Sequence, residues 1–108
     1  MPGVPDRVAK FSPGQLIRHR LFGYRGVVAD VDPHFSLSQD WYDQVARSRP
    51  PRDLPWYRVL VHGSDQHTYV AERNLEADDS AEPIDHPEIA RHFQGLADGR
   101  YRLRDSLN

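Results

Sequence analysis

The sequence lacks cysteine and long hydrophobic runs, and each absence excludes a class of protein. Without cysteine, the chain of 108 residues can form no disulfide, no thiolate nucleophile and no cysteine zinc site, which favours a reducing cytoplasm. Its apolar runs stop at three residues, far below the roughly 20 that a membrane-spanning helix needs. Residues 1–10 also lack the hydrophobic stretch of a signal peptide. We therefore expect a soluble cytoplasmic protein with no membrane partner.

Lysine is also scarce, because Lys10 is the only lysine among 14 basic residues. Arginine suits planar recognition of phosphate or carboxylate, although a codon bias toward arginine would give the same composition. The charges are unevenly placed. Residues 7–25 contain no acid, whereas residues 76–88 contain six acids and neither lysine nor arginine. This distribution predicts a basic start and an acidic linker.

The apolar content suffices for one small folded domain. Val, Ile, Leu and Phe make up about 23% of the chain, above the roughly 20% below which a charged sequence stays disordered. The first nine residues are rich in proline and show no apolar period, so residues 1–9 are predicted to be a flexible extension. We expect the folded domain to span residues 10–104, with a tail at residues 105–108.

Period-two patterns predict two β-hairpins. The four predicted strands are residues 16–20, 26–32, 56–62 and 67–71. In the second of them, Val27, Ala29 and Val31 should share one face of the sheet. A small β-barrel is the natural architecture for these strands, because closure removes exposed strand edges. The predicted fold class is therefore mainly β, a small barrel.

Two further segments interrupt or follow the predicted strands. Residues 33–55 form a long inserted loop with a possible short helix at residues 39–46, and we expect Trp41 and Tyr42 to pack against the barrel or a neighbouring subunit. After a capping-box-like segment at residues 85–88, apolar residues recur at helical spacing up to residue 97. This spacing predicts a short C-terminal helix.

No motif of an enzyme or a metal site is present in the sequence. Six histidines are available, and His62 and His67 flank a turn, but no His-x-x-x-His pair accompanies them. The sequence has no Gly-x-Ser-x-Gly elbow, and Gly23 and Gly26 are too little for a phosphate-binding loop. We therefore expect no catalytic residue, no metal and no cofactor, and a protein that is not an enzyme.

Basic and aromatic side chains alternate at the start of the domain, as in many nucleic-acid surfaces. The candidate DNA-binding residues are Arg18, Arg20, Tyr24 and Arg25. A second set is a candidate partner or oligomer surface: Trp41, Tyr42, Trp56 and Arg58. Both sets have an ordinary alternative, because aromatics on a small barrel mostly fill the core and alternating arginines are typical of a solvated strand face. The net charge of −2 also makes strong DNA binding less favourable.

Several motifs in order along the chain resemble one family. They are residues 10–33 (KFSPGQLIRHRLFGYRGVVADVDP), Trp41-Tyr42, Leu54-Pro55-Trp56-Tyr57, residues 67–75 (HTYVAERNL), Asp85-His86-Pro87 and Gly99-Arg100-Tyr101-Arg102. In these the chain is similar to the HspQ proteins, also called YccV-like or hemimethylated DNA-binding proteins. The motifs cover about residues 10–104.

The resemblance implies a heat-shock protein of the bacterial cytoplasm, built on an SH3-like β-barrel and forming homo-oligomers. It implies two activities. One is binding to hemimethylated duplex DNA, as a regulator of replication. The other is that of an adaptor that promotes degradation of denatured proteins and of the replication initiator by the Lon protease. We expect the adaptor role to be the main one. The family supplies no catalytic residue to carry over.

A shorter resemblance suggests a different partner. Residues 14–28 are also similar to the opening hairpin of Tudor-like domains that dock on RNA polymerase. That match spans only about fifteen residues, and it reflects glycine turns and alternating apolar strands. The strands that contain Trp56-Tyr57 and His67-Thr68-Tyr69 favour the HspQ family instead.

Overall fold

Most of the described chain forms short antiparallel strands. The computed structural model describes residues 8–104. The strands are β1 (Leu16–His19), β2 (Arg25–Asp32), β3 (Trp56–Val61), β4 (His67–Ala71), β5 (Leu75–Ala77), β6 (Phe93–Ala97) and β7 (Arg100–Leu103). The helices are α1 (Gln39–Val45) and α2 (Ile89–His92), and a 3₁₀ turn at Glu72–Asn74 joins β4 to β5. The fold is thus mainly β, as predicted, and none of its helices over residues 8–104 is long and apolar enough to cross a membrane. Residues 1–7 of the predicted extension and the predicted tail at 105–108 lie outside the described residues.

The strands form two antiparallel sheets. Five strands pair in the order β4-β3-β2-β1-β5, and β6 pairs with β7 in a separate hairpin. Over residues 8–104, β4 and β5 do not pair with each other, so the prediction of a closed barrel is wrong. The physical reason is that β5 is only three residues long and the chain then leaves the sheet. The core is closed by a second layer, the C-terminal hairpin, packed on one face.

Both faces of the five-stranded sheet are buried. The first cluster lies on one face and consists of Phe11, Ile17, Val28, Tyr57, Val59, Val70 and Leu75. The second cluster, Leu16, Val27, Leu60, Ile84, Phe93 and Tyr101, joins the other face to the C-terminal hairpin. Because both faces need apolar side chains, the centre of β2 has three consecutive apolar residues, Val27, Val28 and Ala29, rather than a strict alternation.

A β-bulge in β2 corrects the predicted strand faces. The register with β3 shifts between Val28 and Asp30. As a result, Val27 and Ala29 contact the second cluster, whereas Val31 packs against the first. The prediction that all three share one face is therefore wrong at Val31, because the extra residue of the bulge reverses the side-chain direction.

The C-terminal segment forms a hairpin where the sequence predicted a helix. The helix α2 ends at His92, and residues 93–97 form β6, which pairs with β7 through a turn at Asp98 and Gly99. Both turn residues have positive φ, 55° and 79°, as expected for an Asp-Gly hairpin turn. The apolar residues of the predicted helical face are used by this hairpin instead. Phe93 is buried in the second cluster, and Leu96 packs against that cluster. The predicted capping box does not form, because the side chain that accepts from the Glu88 N–H is His86.

A close contact at Gly14 ties the start of the domain to its end. The Gly14 N–H donates to Val28 O at 2.8 Å, and the Gly14 carbonyl accepts from the Tyr101 N–H at 2.8 Å. Its φ of 94° favours glycine. A Cβ there would lie 2.2 Å from Tyr101 O, so the two segments could not approach. Gly14 therefore joins the five-stranded sheet and the C-terminal hairpin.

The inserted loop at residues 33–55 packs as a third layer beside β3 and β4. Ser38 caps α1 by accepting from the Trp41 N–H at 3.1 Å. The third cluster consists of Phe35, Tyr42, Ala46, Trp56 and Ala71. The Tyr42 hydroxyl donates to Pro50 O at 2.6 Å, and the Trp56 indole N–H donates to Pro51 O at 3.0 Å. The loop is thus held by aromatic packing and by hydrogen bonds to its own proline segment.

Candidate binding groove

An apolar groove of about 680 Å³ lies beside β4. We call it the edge groove. Its walls are the β1–β2 turn on one side and α1 with the segment after it on the other. The lining residues are His19, Leu21, Phe22, Tyr24, Leu37, Trp41, Val45, Ala46, Arg47, Ser48, Pro50, Trp56, Arg58, His67, Thr68, Tyr69, Val70 and Asn74.

Large apolar side chains stand exposed on both lips of the edge groove. On the β1–β2 turn, Leu21 is 66% exposed and Phe22 is 77% exposed. On α1, Val45 is 57% exposed. Their concentration around one groove, rather than singly over the surface, is typical of an interaction site.

The sequence missed Leu21 and Phe22 as candidate residues. A signal for them was present, because two adjacent large apolar residues are unusual at a hairpin turn, where Gly, Asn, Asp and Ser prevail. In the structure the turn is built around His19. The His19 Nδ1 accepts from the backbone N–H groups of Leu21 and Phe22, both at 3.1 Å. Burial lowers the pKa of His19, which favours the neutral ring that this acceptor role requires.

Aromatic contacts hold the lip that carries Phe22. The His19 and Phe22 rings stack with centroids 4.6 Å apart. The Tyr24 ring also packs on His19, with ring centroids 5.0 Å apart, and the Tyr24 hydroxyl is 2.8 Å from Thr68 Oγ1 on β4. Burial raises the pKa of Tyr24, so its hydroxyl stays protonated at neutral pH. These contacts fix the turn against β4.

Three of the four predicted partner-surface residues line the edge groove: Trp41, Trp56 and Arg58. The Trp56 ring is buried and stacks on Tyr69 with centroids 5.2 Å apart, and Trp41 meets Tyr69 edge-on at 5.6 Å. The fourth residue, Tyr42, is buried in the third cluster. The structure thus brings the predicted set together, because the Tyr42 ring packs on Trp56 with centroids 6.4 Å apart.

An acidic residue below the groove positions the Arg58 side chain. Arg58 Nη2 lies 3.7 Å from Asp32 Oδ2, and its guanidinium lies 4.9 Å from the Tyr69 ring centroid. Burial would raise the pKa of Asp32, but hydrogen bonds from Ser36 and Tyr69 and the charge of Arg58 outweigh it and lower the pKa. Asp32 therefore stays ionised, and the Arg58 charge remains near the groove.

The predicted DNA-binding residues do not share one face. Arg18 and Arg25 are cross-strand partners in β1 and β2, so their side chains point to the same side. Tyr24 instead packs on the first cluster and lines the edge groove. The hairpin therefore places Tyr24 on a different side from Arg18 and Arg25.

The acidic linker pairs with part of this basic hairpin. Arg25 Nε donates to Asp78 Oδ2 at 2.7 Å and Arg25 Nη2 donates to Glu82 O at 2.7 Å. Arg20 Nη1 lies 3.9 Å from Glu76. Burial would raise the pKa of Asp78, but hydrogen bonds from Arg25 and Ser80 lower it. The charge asymmetry seen in the sequence is therefore partly cancelled in the fold.

The histidines near α2 pair with a carboxylate and with backbone groups. His67 Nε2 lies 2.6 Å from Glu88 Oε2, and His92 Nε2 lies 3.5 Å from Glu88 Oε1. His62 Nδ1 accepts from the Asp85 N–H at 2.8 Å. Throughout residues 8–104, no cluster of three or more His, Cys, Asp or Glu side chains is arranged to hold a metal ion.

Comparison with known families identifies the domain. A family model described as "YccV-like: Hemimethylated DNA-binding protein YccV like" matches residues 9–100. The match covers most of the chain and both walls of the edge groove, and it confirms the resemblance seen in the sequence motifs. The chain belongs to the YccV-like family of hemimethylated DNA-binding proteins.

Proposed function

We propose that the protein is a non-enzymatic adaptor that binds unfolded segments of other proteins and promotes their degradation by the Lon protease. The resemblance to HspQ proteins suggests this role in the heat-shock response of the cytoplasm, with denatured proteins and the replication initiator as clients. The observation that supports it most directly is the edge groove, an apolar groove with exposed lips at Leu21, Phe22 and Val45.

Unfolded proteins are recognised by the apolar side chains that folding would bury. An apolar groove gains about 25 cal/mol for each Å² of such surface that it removes from water. The edge groove offers aromatic rings from Trp41 and Tyr69 on one side and Phe22 on the other. This chemistry tolerates many sequences, as an adaptor for varied clients requires.

Electrostatics favour a protein partner over duplex DNA as the main one. Nonspecific DNA affinity comes mostly from phosphate neutralisation by basic side chains. Here the net charge is −2, and Arg20 and Arg25 in the basic hairpin are already paired with acids. An apolar peptide segment does not require that excess of positive charge.

A reconstituted degradation assay tests the proposal. Purified Lon is given ATP and a panel of substrates that includes a denatured protein and the replication initiator, with and without this protein. We expect faster degradation with it, and loss of most of that gain with Phe22→Ala. Leu103→Ala removes a side chain of similar exposure, 51%, outside the groove lining and serves as the control. Equal rates with and without the wild-type protein on every substrate would contradict the proposal.

Binding to hemimethylated DNA is a second candidate function, and the family description favours it. In the described part of the chain, Arg18 and Arg47 are exposed arginines with no carboxylate partner, so they are free to contact phosphates. Titration with hemimethylated, fully methylated and unmethylated duplexes of one sequence tests it. Tighter binding to the hemimethylated duplex supports this function, whereas equal weak affinities for all three would leave only nonspecific attraction.

A further inference from the structure

The edge groove runs along the free edge of β4 rather than over one face of the sheet. Four consecutive residues of β4, from His67 to Val70, all line it. Successive side chains of a strand point to opposite faces. A groove that touches all four must therefore face the edge of the strand, where its backbone is accessible.

The hydrogen-bond pattern leaves backbone groups free on that edge. The Val61 N–H donates to Gln66 O, and the Glu72 N–H donates to Pro55 O, both at 3.1 Å. Hydrogen-bonded residues alternate along an antiparallel ladder. The register therefore directs the N–H and C=O groups of His67 and Tyr69 away from β3. Over residues 8–104, no backbone–backbone hydrogen bond outside the strand ladders uses these groups.

The two walls suit the alternating side chains of an added strand. On one side of β4, Thr68 lies beside Tyr24 and the β1–β2 turn. On the other side, Tyr69 lies beside Trp41 of α1. An extended segment laid along the edge would send alternate side chains toward these two apolar walls. A strand edge beside a helix is an arrangement that peptide-binding domains use for strand addition.

The charge of the groove narrows the occupant further. Its lining contains no Asp or Glu, although acids outnumber bases in the whole chain. Arg47 and Arg58 both line it. Of these, Arg47 has no carboxylate partner in the described residues. Charge complementarity therefore favours a segment with acidic residues beside its apolar core.

We propose that an extended, apolar segment of an unfolded protein, flanked by acidic residues, pairs with β4 in the edge groove as a sixth strand of the sheet. This inference rests on the proposed function and specifies how the client is held. Main-chain hydrogen bonds to His67 and Tyr69 supply affinity that does not depend on client sequence. The apolar walls supply the preference for apolar residues, and Arg47, which has no carboxylate partner in the described residues, supplies the preference for acidic ones.

Amide hydrogen exchange of the full-length, isotope-labelled protein tests strand addition. The probe is reduced, carboxymethylated α-lactalbumin, which stays unfolded in buffer. On binding, we expect the His67 and Tyr69 amides to exchange at least about tenfold more slowly, because new hydrogen bonds protect them. The Thr68 and Val70 amides already lie in the β3–β4 ladder and serve as internal references.

The outcomes separate this inference from the proposed function. Binding without added protection at His67 and Tyr69 would overturn strand addition and leave the adaptor role intact. No binding of the unfolded protein would overturn both. Protection of the same two amides without probe, rising with protein concentration, would show that a second copy of this chain occupies the edge and would also overturn the inference.

Two synthetic peptides test the charge preference. They share an alternating Val-Phe-Val-Leu-Val core and carry either two glutamates or two lysines at the ends. We expect the glutamate peptide to bind at least about fivefold more tightly to wild type, and Arg47→Glu to remove that difference. Equal affinity of wild type for the two peptides would overturn the acidic preference. Phe22→Ala should weaken the glutamate peptide about tenfold, and Leu103→Ala should leave it within about twofold.

Discussion

The two edge strands of the five-stranded sheet, β4 and β5, differ in length and in the charge of the side chains beside them. β5 is short, with only three residues and a glutamate, Glu76, at its centre, and acids around it pair with Arg20 and Arg25. β4 has five residues, and the apolar edge groove lies along it. Short, charged edges discourage pairing with other chains. The β4 edge lacks this protection, which indicates that it serves to bind a partner.

The same comparison explains where charge and apolar surface lie. Carboxylates of the acidic linker neutralise arginines beside β5, and the groove beside β4 has no carboxylate in its lining. Charge pairing on the β5 side stabilises the fold, whereas Arg47 and the outward backbone groups of His67 and Tyr69 on the β4 side are available to a partner.

The largest expected effect is the fall in unfolding free energy when the ion pair beside β5 is removed. Asp78→Ala leaves the Arg25 guanidinium without its carboxylate, and the Asp78 side chain is only 4% exposed. Removal of one partner from a buried pair costs about 3 kcal/mol of unfolding free energy. Urea denaturation should show this loss, and client binding by the folded fraction should stay unchanged.

Glu76→Ala is the matched control on the same edge. Its side chain is 46% exposed and lies 3.9 Å from Arg20, so its loss should change stability by less than about 1 kcal/mol. If Asp78→Ala were equally mild, the β5 side would owe little stability to charge pairing, and the contrast between the edges would fail.

A smaller loss is expected from the β4 side. Trp41 is half-buried and packs on Phe35, Trp56 and Tyr69. Trp41→Ala should cost about 2 kcal/mol and loosen the inserted loop. It should also weaken client binding, because the side chain forms part of the groove wall. Sedimentation of the same variant would show whether Trp41 also supports an oligomer.

Val45→Ala is the control for Trp41→Ala, since Val45 lies on the same helix and is 57% exposed. Its stability should stay within about 0.5 kcal/mol of wild type. Wild-type stability, sedimentation and client binding in Trp41→Ala would show that this aromatic is merely a surface residue.

The salt dependence of DNA affinity tells which side of the molecule DNA uses. Each phosphate contact contributes about −0.9 to the slope of log affinity against log salt. Arg18 lies on the β5 side, and Arg47 lines the groove on the β4 side. Arg18→Glu should make the slope less steep by about 0.9 if the basic hairpin contacts DNA. Arg47→Glu would have that effect instead if DNA lies across the groove, and unchanged slopes in both would exclude both positions.

The smallest expected effect is a pH response of the groove lip. The pKa of His19 in the folded protein is lowered by burial below its ordinary value of 6.5. The stability that His19 contributes is therefore present above pH 6.5 and is lost as pH falls toward the folded-state pKa. Protonation would break the hydrogen bonds to the Leu21 and Phe22 N–H groups. Their protection factors should fall as the pH is lowered below the ordinary His pKa of 6.5, and His19→Gln should remove that dependence.

Local patterns in the sequence predicted the two hairpins and the helix in the inserted loop, because these elements depend on neighbouring residues. The C-terminal hairpin was missed for a specific reason. Apolar residues between Ile89 and Ala97 fit both a helical face and a bulged strand, and the Asp98-Gly99 turn signal decides between them. The bulge between Val28 and Asp30 has no comparable local signal, since packing on both faces selects it.

The candidate site was only partly predictable. Aromatic character marked Trp41 and Trp56 as surface candidates, and the groove does include them. Sequence could not show that Arg25 is neutralised by Asp78, because the two lie 53 positions apart. Nor could it show that β4 is an edge strand with free backbone groups. Both facts depend on the tertiary arrangement of strands.

The contact at Gly14 has a consequence for synthesis of the protein. Tyr101 donates its N–H to the Gly14 carbonyl, and Phe93 and Tyr101 complete the second cluster. A nascent chain therefore cannot bury Leu16, Val27 and Leu60 fully until the segment that contains Phe93 and Tyr101 has left the ribosome. Such distant pairing also slows folding. During translation the chain exposes apolar surface of the same kind that we propose it recognises in others.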